Sequence, residues 1–304
     1  MQHHLFDLTL DGQLYLCPAG QDETKPLGRV LDAGTGTGIW AIDFGVSYFF
    51  CSRVSTFTFF LDAEPTLTIR VSPGSRYASR NCCRGRRSQP YPTSLVLSSP
   101  PITLSSTCVQ TDGLSHSSAP PNLTWIVDDL EEPWTYSTKF DFVYTRMLTG
   151  SISSWPNFFA QARDNLNPGG WLEMADIVFP IACDDNSLPA DSPVRQWSDF
   201  MLQASHNLKR PLDSAKSYAS QLAEAGFVNV VEKKFKWPQN PWPRDPRFKE
   251  MGMWTLENIA GGLQGLSMAL FTRGLGWSAD ELEVFLAGVR KDMRDRKIHV
   301  YYEM

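Results

Sequence analysis

Cysteine is scarce and unpatterned. Six residues in 304 (Cys17, Cys51, Cys82, Cys83, Cys108 and Cys183) form no C-x-x-C pair and no Cys/His ligand spacing, which argues for free thiols and against a zinc site or a disulfide framework. Long apolar runs are missing too, since no stretch approaches the ~18 uninterrupted residues of a membrane span. Asp7 and Asp11 interrupt the first apolar stretch and no basic start precedes it, so no secretory leader is expected. Basic charge is also short: 28 Lys and Arg face 33 Asp and Glu, a net charge of −5. A nucleic-acid partner held by a basic surface is therefore not expected. The reading is a protein inside the cell, cytoplasmic or nuclear, with neither membrane nor nucleic acid as partner. What is present is ordinary globular composition, 42% hydrophobic and 20% charged, at a length suited to one large domain or one domain with an insertion.

Residues 46–121 differ in kind from their surroundings. They hold 15 Ser, 8 Thr, 8 Pro and four of the six Cys, with 7 Arg, no Lys and 3 acids. No helical or strand period is sustained there, except around Phe57–Leu61, so a disordered insertion is expected. It separates residues 1–45, an N-terminal segment with a glycine turn, from 122–304, the remainder of the domain, in which about 235–297 reads as a helical acceptor or lid region.

Outside the insertion, strands and helices alternate. Arg29–Asp32, Leu123–Val127, Phe140–Tyr144, Gly170–Met174 and Phe227–Val231 read as strands. Ser154 with Pro156 opens a helix that closes at Asn167-Pro168-Gly169-Gly170, and Ser192 with Pro193 opens another with Trp197, Phe200 and Met201 facing the core. A third runs from Asp213 to Ala225 and stops at Gly226, while Ser278-Ala279-Asp280-Glu281 is a capping box ahead of Leu282, Phe285, Leu286 and Val289. This alternation predicts a mostly parallel sheet with helices on both faces.

The stretch Val30-Leu31-Asp32-Ala33-Gly34-Thr35-Gly36-Thr37-Gly38-Ile39-Trp40 carries the chemistry. A strand ends in alternating glycines and a helix follows, so the backbone admits a ligand closely and N–H groups point at it. A dinucleotide fingerprint needs its third glycine where Ile39 stands, and fails. The acid two residues before the first glycine suits a cationic ligand group. The pattern D-x-G-x-G-x-G resembles motif I of class I S-adenosylmethionine (SAM) methyltransferases, which implies a Rossmann-like fold with Asp32, Gly34, Thr35, Gly36 and Gly38 at the cofactor.

The resemblance extends along the chain. Val127-Asp128-Asp129-Leu130 stands where such enzymes present a carboxylate to the adenine amino group and a backbone N–H to the ring, so it implies Asp129 and Leu130 as adenine contacts; a solvated acidic turn is the plain alternative. Gln2-His3-His4-Leu5, Asp128–Trp134, Met147–Trp155, Arg210–Lys216, Trp254–Asn258 and Ala269–Trp277 look like the fungal LaeA-like, or TAM-domain, methyltransferases. That family implies SAM as cofactor, a link to secondary metabolism, and a small-molecule or protein methyl acceptor, with regulatory protein partners also open.

The chain departs from the family at its second strand. The family's acid there, within Gly-Val-Asp-Leu-Ser-Pro-Ile-Gln-Pro, holds the ribose hydroxyls, and this chain lacks the run. Arg87–Thr93 can be encoded by codons that, read one base later, give Asp-Leu-Ser-Pro-Ile-Gln-Pro. Gly45-Val46-Ser47 can be encoded by a stretch resembling an intron donor. The segment 46–121 thus reads as a retained intron followed by an out-of-frame exon, with a Ser-rich regulatory loop as the alternative. On either account the second strand is disrupted and its acid lost or replaced; Asp62 after Phe57–Leu61 is the substitute within reach. The sequence ends at Tyr301-Tyr302-Glu303-Met304, short of the final strand that the resemblance implies, so an unpaired sheet edge is expected.

Methyl transfer is an in-line displacement, so positioning supplies much of the rate and no dedicated nucleophile is required. Tyr144, Arg146, Glu173 and Asp176 lie at carboxyl ends of strands, where open α/β sheets bind ligands. Arg146 joins the cofactor set; any of the four is open to orienting an acceptor, or to a cap or salt bridge, and the catalytic base is unassigned. Trp237, Trp242, Trp254 and Trp277 read as lid or core packing, with an aromatic acceptor pocket the alternative. His3 and His4 read as surface residues, with coverage of the cofactor the alternative, and no metal site is supported.

Overall fold

The structure, a computed structural model, describes residues 1–22, 26–47, 53–58 and 120–304, all within one compact unit. The stretch Arg87–Thr93, Asp62, and most of the insertion lie outside the described residues.

Five strands form one parallel sheet in the order β3-β2-β1-β4-β5: β1 (Arg29–Ala33), β2 (Arg53–Thr58), β3 (Leu123–Val127), β4 (Phe140–Arg146) and β5 (Leu166–Ala175). The chain builds outward from β1 to β3 on one side, then returns to place β4 on the other. The order therefore reverses between β1 and β4, where a crevice opens at the strands' carboxyl ends. The second strand is replaced rather than missing: insertion residues Arg53–Thr58, a few positions before the apolar run expected, fill its place between β1 and β3.

Both faces are covered. On one, Val30, Phe142 and Tyr144 pack against Trp40, Ala41 and Phe44 of α2 (Ile39–Ser47) and against Tyr15. On the other, Leu31, Ala33 and Val143 meet Trp155, Phe158 and Phe159 of α3 (Trp155–Asp164) and Tyr218. The fold is α/β and Rossmann-like, with a doubly covered parallel sheet.

Residues 177–302 build a second core. Here α4 (Pro193–Asn207), α6 (Pro246–Gly261), α7 (Leu263–Ala269) and α8 (Ala279–Arg294) surround an antiparallel sheet ordered β6-β8-β7, made of β6 (Val178–Cys183), β7 (Lys236–Pro238) and β8 (Val300–Glu303). The short α5 (Tyr218–Glu224) lies between α4 and β7 in sequence. Trp197 and Met201 are buried as their spacing predicts, and the Ser278–Glu281 capping box is present. Leu5 and Phe6 of α1 (Gln2–Thr9) join this core.

Two expectations are corrected. Phe227–Val231 is not a strand: Val228 and Val231 are 80% and 74% exposed, so apolar β-branched residues alone did not recruit a partner strand. The helix from Ser154 ends at Asp164, and Asn167–Gly170 lie inside β5 rather than in a turn. The β4–β5 register shifts there: Phe140 pairs with Leu166 and Phe142 with Trp171, so the extra residues, the glycine pair among them, lie on β5.

Candidate functional site

The site begins where β1 ends. Asp32 is 2% exposed, and its Oδ2 accepts a 2.5 Å hydrogen bond from the Thr35 hydroxyl across the first turn of the loop. Burial pushes its carboxyl up to about 6, while Thr35 and the Arg146 guanidinium pull it back down.

The three glycines of the turn all have positive φ, +81° at Gly34, +56° at Gly36 and +75° at Gly38, but their surroundings differ. A Cβ on Gly34 would meet Leu148 Cδ2 at 2.5 Å, and one on Gly38 would fall inside the Trp125 indole. At Gly36 nothing among the described residues lies within 4 Å. Protein packing thus accounts for glycine at 34 and 38, and Gly36 alone faces open space. Behind the turn, Trp40 is buried, stacks on Tyr144, and donates its indole N–H to the Leu14 carbonyl at 2.8 Å.

Across the crevice, Asp32 pairs in register with Tyr144, and Ala33 with Thr145. Arg146 follows at the end of β4. Its guanidinium donates to His3 Nδ1 at 3.2 Å and lies 4.8 Å from the centre of the Phe6 ring. His3 Nε2 in turn lies 2.9 Å from Asp43 Oδ2 on α2. Helix α1 therefore crosses the carboxyl end of β4 and reaches the helix that follows the glycine turn. The cavity lined by His3, Phe6, Trp40 and Arg146 holds only about 10 Å³.

In the acidic turn after β3, the Asp128 and Asp129 carboxylates bond within the turn itself. Asp129 is exposed and its Oδ1 accepts from Glu131 N at 2.9 Å, while Asp128 Oδ1 accepts from Asp129 N at 2.9 Å. Leu130 is buried, its carbonyl taken by Trp134 Nε1 and Gln161 Nε2. Glu131, which sequence reasoning passed over, bonds Ser153 N at 2.7 Å and Arg210 Nη2 at 2.7 Å, tying this turn to the loops after β4 and α4.

Of the four strand-end candidates, three do structural work. Glu173 caps the N-terminal segment, accepting from Leu16 N at 2.8 Å and Cys17 N at 2.6 Å. Asp176 is buried and accepts from Tyr218 Oη at 2.8 Å and Thr149 N at 3.1 Å. Tyr144 is buried against Trp40. Of the four, Arg146 alone lines the small cavity beside α1. The tryptophans do not converge on one pocket: Trp237 donates to Thr9, Trp242 stacks on His299, Trp254 meets His4 edge-on, and Trp277 packs with Phe200, Phe271 and Phe285. Asp43 was missed in the sequence; the signal was a lone acid in the otherwise apolar helix Ile39–Val46.

The turn thus brings together a buried acid, a glycine with no described atom before it and, at the end of the neighbouring strand, a guanidinium. Comparison with known proteins agrees on the lineage. The model of the Methyltransferase domain family matches residues 1–232. The Emericella nidulans protein named "Probable methyltransferase tdiE" is 32% identical over 304 residues, spanning 99% of this chain and 77% of that protein. Methyltransferase pytC of Aspergillus terreus is 31% identical, with 100% and 76% covered, and secondary metabolism regulator LAE1 of Cochliobolus heterostrophus is 30% identical, with 98% and 81% covered. The chain thus belongs to the methyltransferase-domain family and carries its Rossmann-like class I fold.

Proposed function

We propose that the chain binds S-adenosylmethionine at the β1–β4 crevice and transfers its methyl group to a small-molecule or protein acceptor linked to fungal secondary metabolism. The observation that carries this reading is the open space before Gly36 beside the buried Asp32. An ionised Asp32 receives the cofactor's ammonium, and the backbone at Gly34, Thr35, Gly36 and Gly38 lies along its body. Asp129 and the Leu130 backbone would hold the adenine at the end of β3. The bound cofactor supplies an electrophilic methyl on sulfur. The protein's part is to orient the acceptor and exclude water, with the helical region about 235–297 as the lid.

A regulator that keeps the fold and acts through protein partners is the second reading. It is favoured by the engagement of the Glu173 and Asp176 carboxylates in structural hydrogen bonds and by the burial of Tyr144 against Trp40.

Calorimetric titration with SAM tests the first reading. The wild-type chain binds, Gly36→Ala loses binding, and Asp32→Ala weakens it by about ten- to a hundredfold, the value of a charged hydrogen bond. Unchanged affinity in both variants sinks the site. Binding without turnover across an acceptor panel selects the regulator, and a molten, non-binding chain shows a defective product.

A further inference from the structure

Arg146 is held by an unusual partner. Its guanidinium has one hydrogen-bond acceptor among the described residues, and that acceptor is an imidazole nitrogen, His3 Nδ1 at 3.2 Å. Because the guanidinium can only donate, Nδ1 must carry the lone pair. The proton then sits on Nε2, which faces Asp43 Oδ2 at 2.9 Å. Asp43 thus fixes the tautomer, and the tautomer fixes the arginine. Burial and the Arg146 charge both push the His3 pKa down, against the upward pull of Asp43 and Asp7, so the ring is neutral near pH 7.

Neutrality matters. A carboxylate in the place of His3 would orient Arg146 equally well but would also cancel its charge. A neutral imidazole orients the guanidinium and leaves its full positive charge, and its remaining donors, for another anion. Phe6 under the guanidinium plane, 4.8 Å from its centre, adds a second constraint of the same kind, since an aromatic face holds a cation without neutralising it. Helix α1, which carries both His3 and Phe6, is itself pinned: Trp237 Nε1 donates to Thr9 Oγ1 at 2.8 Å, and Phe6 packs edge-on against Trp237 at 5.1 Å.

We propose that Arg146 is the carboxylate-binding group for the cofactor's amino-acid end, and that His3 and Asp43 are its positioning residues, joined as a hydrogen-bonded chain Asp43–His3–Arg146 from α2 through α1 to β4. The proposal rests on the SAM reading above and deepens it. Asp32 and Arg146 then divide the zwitterion, the acid taking the ammonium and the guanidinium taking the carboxylate in a planar two-point contact.

The test uses two ligands that differ in that end alone. S-adenosylhomocysteine carries the amino-acid group; 5′-methylthioadenosine lacks it. In titration of the full chain, His3→Ala and Asp43→Asn should weaken S-adenosylhomocysteine binding by roughly tenfold while leaving methylthioadenosine within about twofold of wild type. His3→Gln, a neutral donor and acceptor, should recover part of the loss. An equal fall for both ligands means that α1 merely docks, and no fall means that Arg146 needs no positioning; either overturns the proposal. Wild-type binding of S-adenosylhomocysteine keeps the SAM reading intact whichever way the variants go, whereas wild-type binding of neither ligand overturns that reading and this one together. Imidazole ¹⁵N chemical shifts of the wild-type chain give an independent measure. An Nε2–H neutral tautomer at pH 7 supports the chain of bonds, and an Nδ1–H tautomer or an imidazolium at His3 overturns it.

Discussion

The Trp40 indole lies flat on the Tyr144 phenol, ring centroids 4.1 Å apart and planes 13° from parallel. This contact fastens the helix after the glycine turn to the strand that bears Arg146. The Tyr144 hydroxyl is buried and has no hydrogen-bond partner among the described residues, and burial pushes its pKa upward. Removing the hydroxyl should therefore cost nothing. Tyr144→Phe is expected to raise the melting temperature or leave it unchanged, while Tyr144→Ala loses the stack and about 3–5 kcal/mol. A Phe variant that folds normally but loses methyl transfer would show that the hydroxyl meets substrate.

Asp32 sets a pH dependence of known sign. Its folded pKa of about 6 lies above the ordinary aspartate value of 3.8, so the native state holds the proton more tightly than the unfolded chain. Its contribution to stability is complete below about pH 4 and is lost as pH rises through 6. At pH 7, Asp32→Asn should stabilise the ligand-free protein by up to about 3 kcal/mol, and the gain should vanish near pH 4. Affinity for the cofactor moves the other way, rising from pH 5 to 7 as the carboxylate ionises, and the Asn variant should flatten that rise. Thermal unfolding and titration across pH check both halves.

The glycines separate folding from binding. Gly38→Ala drives a methyl into Trp125 at a positive φ and is expected to destabilise the fold by several kcal/mol, with affinity lost as a secondary effect. Gly36→Ala meets no atom of the described residues. It should lower stability by only about 1 kcal/mol, the strain of its φ, and abolish cofactor binding in a well-folded protein. Circular dichroism melts beside calorimetry distinguish the two.

Two strand-end carboxylates, half-buried Glu173 and buried Asp176, serve stability. Glu173→Ala strands the Leu16 and Cys17 N–H groups and Tyr218→Phe strands one oxygen of Asp176, each expected to cost about 1.5–3 kcal/mol in denaturant titration. Neither should change the acceptor range, because neither group opens to the crevice.

The legible parts of this chain are those with a local rule behind them. The strand–glycine–helix pattern at Val30–Trp40, the Ser192-Pro193 helix start and the Ser278–Glu281 capping box each involve neighbours a few residues apart, and each is found where it was read. The antiparallel sheet was not legible. Lys236–Pro238 is too short to show a period, and its partner Val300–Glu303 lies more than sixty residues on. Likewise Phe227–Val231 has strand composition without a strand's partner. At the site, Asp32 announced itself through the glycines, whereas Arg146 depends on His3 and Asp43, brought to it from remote parts of the chain. Asp129 sits in the acidic turn with its carboxylate engaged by Glu131 N, a contact that sequence spacing alone could not separate from a ligand contact.

Helix α1 gains its burial from residues far along the chain. The bond from Trp237 to Thr9 spans 228 positions, and Arg247 reaches back to the Leu8 carbonyl over 239. Such contacts close very large loops, so they form late and add little to the folding nucleus. Destabilising changes in α1 should accordingly accelerate unfolding more than they slow folding. During synthesis the segment bearing His3 and Phe6 leaves the ribosome before residues 177–302 and must stay undocked until the second core exists, so the arginine it orients is set only after that core is in place.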